Sequence, residues 1–107
     1  MTSKEKQIIR LIKSRISRKD SGAEVILFGS HARGDATSNS DWDILILLQN
    51  AMVDRNLEKE YREELFEVEL ETGEPISTLV FSKTDWENRH SATPLYRNIK
   101  REGILID

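Results

Sequence analysis

Apolar and polar residues alternate in blocks along the chain, and the blocks follow two different periods. Between Ser3 and Arg18, Ile8, Ile12 and Ile16 recur every fourth residue, with Ile9 and Leu11 widening the stripe. That spacing predicts an amphipathic helix with one buried face. Asp20-Ser21-Gly22 breaks it. Two short apolar runs follow, Val25-Ile26-Leu27-Phe28 and Ile44-Leu45-Ile46-Leu47-Leu48. Each is too short for a core helix and rich in β-formers, so each reads as a buried strand. Gly29 closes the first, where the backbone must turn sharply or approach a ligand closely. Ser30 is expected to cap a short helix through His31, Ala32 and Arg33, which Gly34 stops.

The second half returns to the helical period. After an expected loop at Gln49-Asn50-Ala51, Asp54 caps a helix whose inner stripe is Leu57, Tyr61, Leu65 and Val68, with Phe66 and Leu70 at its edge. Glu58, Glu60, Glu63, Glu64, Glu67 and Glu69 mostly cover its outer side. Gly73 suits its end and Pro75 prevents its continuation. Residues 76–81 read as a third strand, favoured by β-branched Thr78 and Val80. Ser82, with Asp85 three residues on, starts a short helix through Trp86. Thr93-Pro94 opens a last helix on which Leu95 and Ile99 are expected to face inward. Gly103 ends it, and Ile104-Leu105-Ile106 is expected as a short edge strand. The order of elements predicts an α/β (α+β) chain, a small mixed sheet backed by helices.

Composition narrows the chemistry. A length of 107 residues suits one domain spanning 1–107, with a single core. The longest apolar run, Ile44 to Leu48, is far short of a membrane span, and the first twenty residues are too charged for a secretory signal. Zero cysteines exclude disulfides and thiolate metal sites, and fit a reducing cytoplasm. Two histidines, His31 and His90, are too few for a histidine-built zinc site, so any metal must rest on carboxylates. A net charge of −3 argues against general nucleic-acid binding. The charge is unevenly spread: residues 1–20 carry seven Lys/Arg against two acids, and residues 54–74 nine acids against three Lys/Arg. Both segments read as solvated helix faces, with steering of a nucleotide, an RNA end or an acidic protein as the alternative for the basic one.

The candidate chemistry lies between the first two strands. A helix start after Gly29 and Ser30 presents free backbone N–H groups, the usual cradle for a phosphate. Asp41 and Asp43 flank Trp42 at the head of the second strand, and alternation puts both carboxylates on one face and Trp42 on the other. Paired anionic oxygens on a rigid strand suit a hard cation such as Mg²⁺, which recruits substrate phosphates. Cradle and carboxylates together point to metal-assisted attack on a nucleoside triphosphate.

Gly29-Ser30, ten residues, then Asp41-x-Asp43, with Ala32-Arg33-Gly34 in the gap and Ser40 before the first Asp, resembles the signature of the DNA polymerase β-like nucleotidyltransferases. The short length looks most like the minimal nucleotidyltransferases, antitoxins paired with HEPN-domain proteins. The resemblance covers residues 24–48 closely and the remainder by order of elements. It implies the polymerase β-like nucleotidyltransferase core, with Asp41 and Asp43 as catalytic residues and ligands of Mg²⁺. It implies that Gly29 and Ser30 hold the β and γ phosphates of ATP and that Arg33 adds positive charge, the alternative for Arg33 being a surface ion pair with Asp35. Ser40 either orients Asp41 or caps the turn. His31 reads as an exposed helix-start residue, and His90 as part of a polar loop.

One departure matters. Many relatives carry a third carboxylate on the next strand, where it completes the metal site and activates the attacking hydroxyl. Here that position falls on Ser77 or Thr78, leaving Glu71 or Glu74 as substitutes from before the strand. A tyrosine phenol, with a pKa of about 10, tolerates the loss of a base better than a ribose hydroxyl. The resemblance therefore implies AMPylation: transfer of AMP from ATP to a tyrosine of a HEPN ribonuclease toxin encoded nearby, as in a type VII-like toxin-antitoxin system. The chain ends soon after the core, so a separate partner is expected to supply the acceptor. The alternative is a non-catalytic nucleotidyltransferase-fold subunit or antitoxin that acts by binding its partner.

Overall fold

The computed structural model describes residues 1–49 and 52–107. The expected loop at Gln49-Asn50-Ala51 falls partly outside the described residues. Four strands form one sheet in the order β3-β2-β1-β4: β1 (Glu24–Phe28), β2 (Trp42–Leu48), β3 (Ile76–Ser82) and β4 (Ile104–Ile106). β1 runs antiparallel to both neighbours, while β2 and β3 are parallel. The sheet is therefore mixed. Five helices, α1 (Ser3–Lys19), α2 (Ser30–Arg33), α3 (Arg55–Thr72), α4 (Lys83–Asn88) and α5 (Pro94–Glu102), complete the described fold.

Strand alternation divides the core in two. Val25 and Leu27 of β1, Trp42, Ile44, Ile46 and Leu48 of β2, and Val80 of β3 pack against Ile8, Ile12 and Ile16 of α1 and Tyr61, Leu65 and Val68 of α3. The opposite face presents Ile26, Phe28, Leu45, Leu47, Leu79 and Phe81 to Trp86 of α4 and to Tyr96 and Ile99 of α5. β2 is buried on both faces, as its unbroken apolar run requires.

The two charged segments answer each other. α1 lies beside α3, and Arg15 Nη1 approaches Glu67 at 2.7 Å and Glu64 at 3.3 Å, while Lys19 Nζ meets Glu60 at 3.0 Å. The basic and acidic faces are in part partners of one another, each pair contributing little on its own at this exposure. Phe66 and Leu70 lie on the outer face of α3, 54% and 69% exposed, beyond the buried stripe.

Capping follows the expected chemistry at most helix ends. Asp54, Ser82 and Thr93 each accept the backbone N–H three residues on, and Gly73 closes α3 in the left-handed region. α5 departs in phase. Ile99 is buried, but Leu95 is 37% exposed and Tyr96 turns inward instead. Tyr96 packs tilted against Trp86, with centroids 5.1 Å apart, and its hydroxyl donates to Glu87 Oε2 at 2.6 Å. His90 likewise packs on Phe81 at 4.4 Å between ring centroids.

The Tyr96 hydroxyl, chiefly, holds the Glu87 carboxyl below its ordinary value, and Glu87 in turn raises the Tyr96 phenol. The depressed carboxyl stabilises the fold above the unfolded value, about 4.3 for glutamate, and that contribution is lost as pH falls through the folded one. The raised phenol adds stability below pH about 10 that is lost as pH rises through the folded value. Tyr96→Phe should therefore lower the urea midpoint more at pH 7 than at pH 3. A difference of equal size at both values would remove this ion-dipole pair from the account.

Candidate functional site

The site forms where β1 ends beside the start of β2. In the antiparallel ladder Phe28 pairs with Asp43, so Gly29 follows directly beside the acid. Gly29 has φ +75° and ψ −157°, a region that is essentially glycine's alone. It is buried, and a Cβ there would overlap the Asp43 carboxylate oxygen and lie 3.0 Å from its Cγ. The turn and the acid thus touch across a space that only a hydrogen leaves open.

Gly29, rather than Ser30, is the N-cap of α2, and no side chain caps that end. The reason is the backbone: Gly29 leaves the helical region while Ser30 is already the first helical residue. The Ser30 hydroxyl is consequently not spent on its own helix start. Gly34, at φ +87°, closes α2 as expected.

Asp41 is exposed and stands one residue ahead of β2, whereas Asp43 lies within it, half-buried. Burial pushes the Asp43 carboxyl up, and the charge of Asp41 pushes it further; His31 and Arg33 oppose, and Glu102 adds to the rise. These five residues therefore share one electrostatic neighbourhood. Trp42, between the acids, points to the opposite face and is 1% exposed. The donor set suits a hard divalent cation. Two carboxylates, one of them desolvated and repelled by its neighbour, would have both costs relieved by a cation held between them. Among the described residues no group of three His, Asp or Glu side chains converges as a closed metal cage, so water or phosphate oxygens would complete the coordination.

Ser40 sits inside the turn. Its hydroxyl accepts from the Thr37 N–H at 2.9 Å, and its own N–H bonds Thr37 O at 3.1 Å. Of its two anticipated roles, closing the turn before Asp41 is the one these contacts describe. Arg33 meets both Asp35, at 3.3 Å, and Glu102, at 3.2 Å. Ser77 is level with Asp43 in the parallel ladder, on the same face and exposed, while Thr78 is buried on the other side. Of the two, Ser77 is thus the one on the side of the sheet that carries Asp43. Glu74 turns to Lys4 Nζ at 3.6 Å instead.

Two residues escaped the sequence. Glu102, at the end of α5, places Oε1 3.3 Å from the Gly29 N–H. His31 is not exposed: its side chain is 9% accessible, stacks flat on Trp42 at 3.7 Å between centroids, and turns Nδ1 to Glu5 Oε2 at 3.4 Å. This stack fixes α2 to β2, and so the turn to the acids. The one clue was position, since His31 follows Ser30 and Trp42 lies between the two Asp residues.

A family model for the nucleotidyltransferase domain matches residues 9–106. The fold also recurs in solved structures. A structure described as a toxin-antitoxin with AMP-PNP aligns with a TM-score of 0.66 at 18% identity, covering 92% of this chain and 72% of the other. A Sulfolobus solfataricus protein assigned as a nucleotidyltransferase aligns with a TM-score of 0.59 at 19% identity, covering 92% and 78%. Such identities speak for the fold alone. No curated protein sequence matches the chain.

Proposed function

The chain belongs to the nucleotidyltransferase-domain family, and on that premise we propose that it transfers AMP from ATP to a tyrosine hydroxyl of a HEPN ribonuclease toxin, as a cytoplasmic antitoxin. The observation that carries this is the contact of the Asp43 carboxylate with Gly29. It supports a reading in which the amides of the turn and the Asp43 carboxylate meet one triphosphate, with Asp41 two residues away along the chain. A neighbour in fold described as a toxin-antitoxin with AMP-PNP supports the class of nucleotide and of partner.

Asp41 and Asp43 would hold Mg²⁺, which when bound offsets triphosphate charge and orients the phosphates. The backbone N–H groups of Gly29 and Ser30 and the Ser30 hydroxyl hold the β and γ phosphates, and Arg33 supplies positive charge beside them. The acceptor oxygen then attacks the α-phosphorus in line. Its bond to the bridging β-phosphate oxygen breaks, pyrophosphate leaves, and the acceptor proton passes to solvent. Ser77 cannot serve as the base that an acid at its position would be, which favours an acceptor that ionises readily.

Incubation with ATP labelled at the α-phosphate, Mg²⁺ and the HEPN protein should place label on a tyrosine of that protein. Label on no protein overturns the assignment. Ser77 also favours one second reading, a subunit that acts by binding alone. In that case a chain carrying both Asp41→Asn and Asp43→Asn would still neutralise the toxin.

A further inference from the structure

Glu102 stands in the site with no role in that scheme. Its side chain is 18% exposed. Oε1 accepts from the Gly29 N–H and from Arg33 Nη1, both at 3.3 Å, and Oε2 accepts from Arg33 Nη1 at 3.2 Å. Its placement follows from the sheet. Leu27 pairs with Ile104 in the β1–β4 ladder, and two further steps along that antiparallel register bring Glu102 level with Gly29. The Gly103 N–H, bonded to Ile99 O at 2.7 Å, ties the end of α5 at that height. The carboxylate is thus delivered to the turn by backbone architecture.

We propose that Glu102 is a built-in anion occupying the triphosphate's place on Gly29 and Arg33, and that it makes nucleotide affinity depend on the divalent cation. This rests on the nucleotide-transfer assignment above and adds what controls entry to the site. An amide carries one hydrogen, so a phosphate oxygen and Glu102 cannot both take it. Carboxylate and phosphate also compete for the hydrogens on Arg33 Nη1. Before a nucleotide arrives, Arg33 is paired with Asp35 and Glu102, and Asp41 and Glu102 add negative charge around Asp43, so a free triphosphate meets both negative charge and donors already in use. A cation held by Asp41 and Asp43 cancels part of that charge, and the exchange of Glu102 for phosphate then becomes favourable. Arg33 would move from one anion to the other while keeping its pairing.

The test is calorimetric binding of inorganic tripolyphosphate and of ATP to the full chain, with chelator and with Mg²⁺. Wild type is compared with Glu102→Gln, which keeps the shape, and with Glu102→Ala. In chelator both variants should bind tripolyphosphate at least about tenfold tighter than wild type, the worth of one charge-assisted hydrogen bond. The gap should narrow when Mg²⁺ is added. A merely structural role would weaken binding, so equal or weaker affinity in the variants overturns the proposal, as does a gap indifferent to Mg²⁺. If neither wild type nor variants bind either ligand even with Mg²⁺, the nucleotide-transfer assignment falls as well.

Discussion

Asp43→Asn should abolish nucleotidyl transfer and at the same time raise the melting temperature. The two effects share one cause. Asp43 is a carboxylate held half out of water beside another acid, and that burial together with Asp41 raises its pKa. A raised carboxyl is a cost to the folded state at neutral pH, because its charged form is worse solvated there than in the open chain. Asparagine removes the charge and keeps the shape. We expect a gain on the order of a few degrees, the usual yield of relieving one such conflict in a small domain. Transfer should fall by about 10³-fold or more, since the lost oxygen would anchor the metal-bound phosphates where charge develops. Asp41→Asn should cost similar activity with a smaller thermal gain, being exposed. Label transfer and thermal melts with and without Mg²⁺ read both effects. A variant that transfers like wild type, or that melts lower, contradicts the account.

Much of this was legible because the relevant signals are local. Two apolar runs, one glycine and two acids at fixed spacing define β1, the turn and β2 without knowledge of the other elements. The stripes of α1 and α3 are equally local, since four-residue spacing reads out one buried face. What the sequence hid depends on pairing at a distance. Glu102 reaches the Gly29 N–H from 73 residues away, and only the register of β4 on β1 puts it there. No local pattern encodes that register, so nothing near the turn in sequence points to Glu102. α5 failed for a different reason. With Ile99 fixed inward, Leu95 and Tyr96 both lie one turn back, and hydropathy favours leucine. Tyr96 wins because Trp86 and Glu87 offer a ring to pack on and an acceptor for the hydroxyl. His31 was misplaced because a polar residue at a helix start usually faces water, whereas here the flat face of Trp42 covers it.

Gly29→Ala should damage both stability and activity, and comparison with Gly73→Ala separates its two components. Both glycines have φ +75°, but they differ in ψ and in surroundings. Gly73 has ψ 7°, the left-handed region that other residues enter at a cost of roughly 1 kcal/mol, and an added Cβ would meet nothing within 4 Å. Its alanine variant should lose about that much stability and keep full activity. Gly29, with ψ −157°, occupies a region closed to side chains, where strain alone costs of order 1–3 kcal/mol. Its Cβ would also drive into the Asp43 carboxylate. Relief requires either that the turn open or that Asp43 rotate away, and both separate the amides from the acid. Activity should therefore drop about 100-fold or more, as expected when reacting groups are misplaced by an ångström. Urea denaturation and initial rates of label transfer give the two numbers. Were Gly29→Ala to lose only stability, matching Gly73→Ala in activity, the turn and Asp43 would not act on the same phosphate.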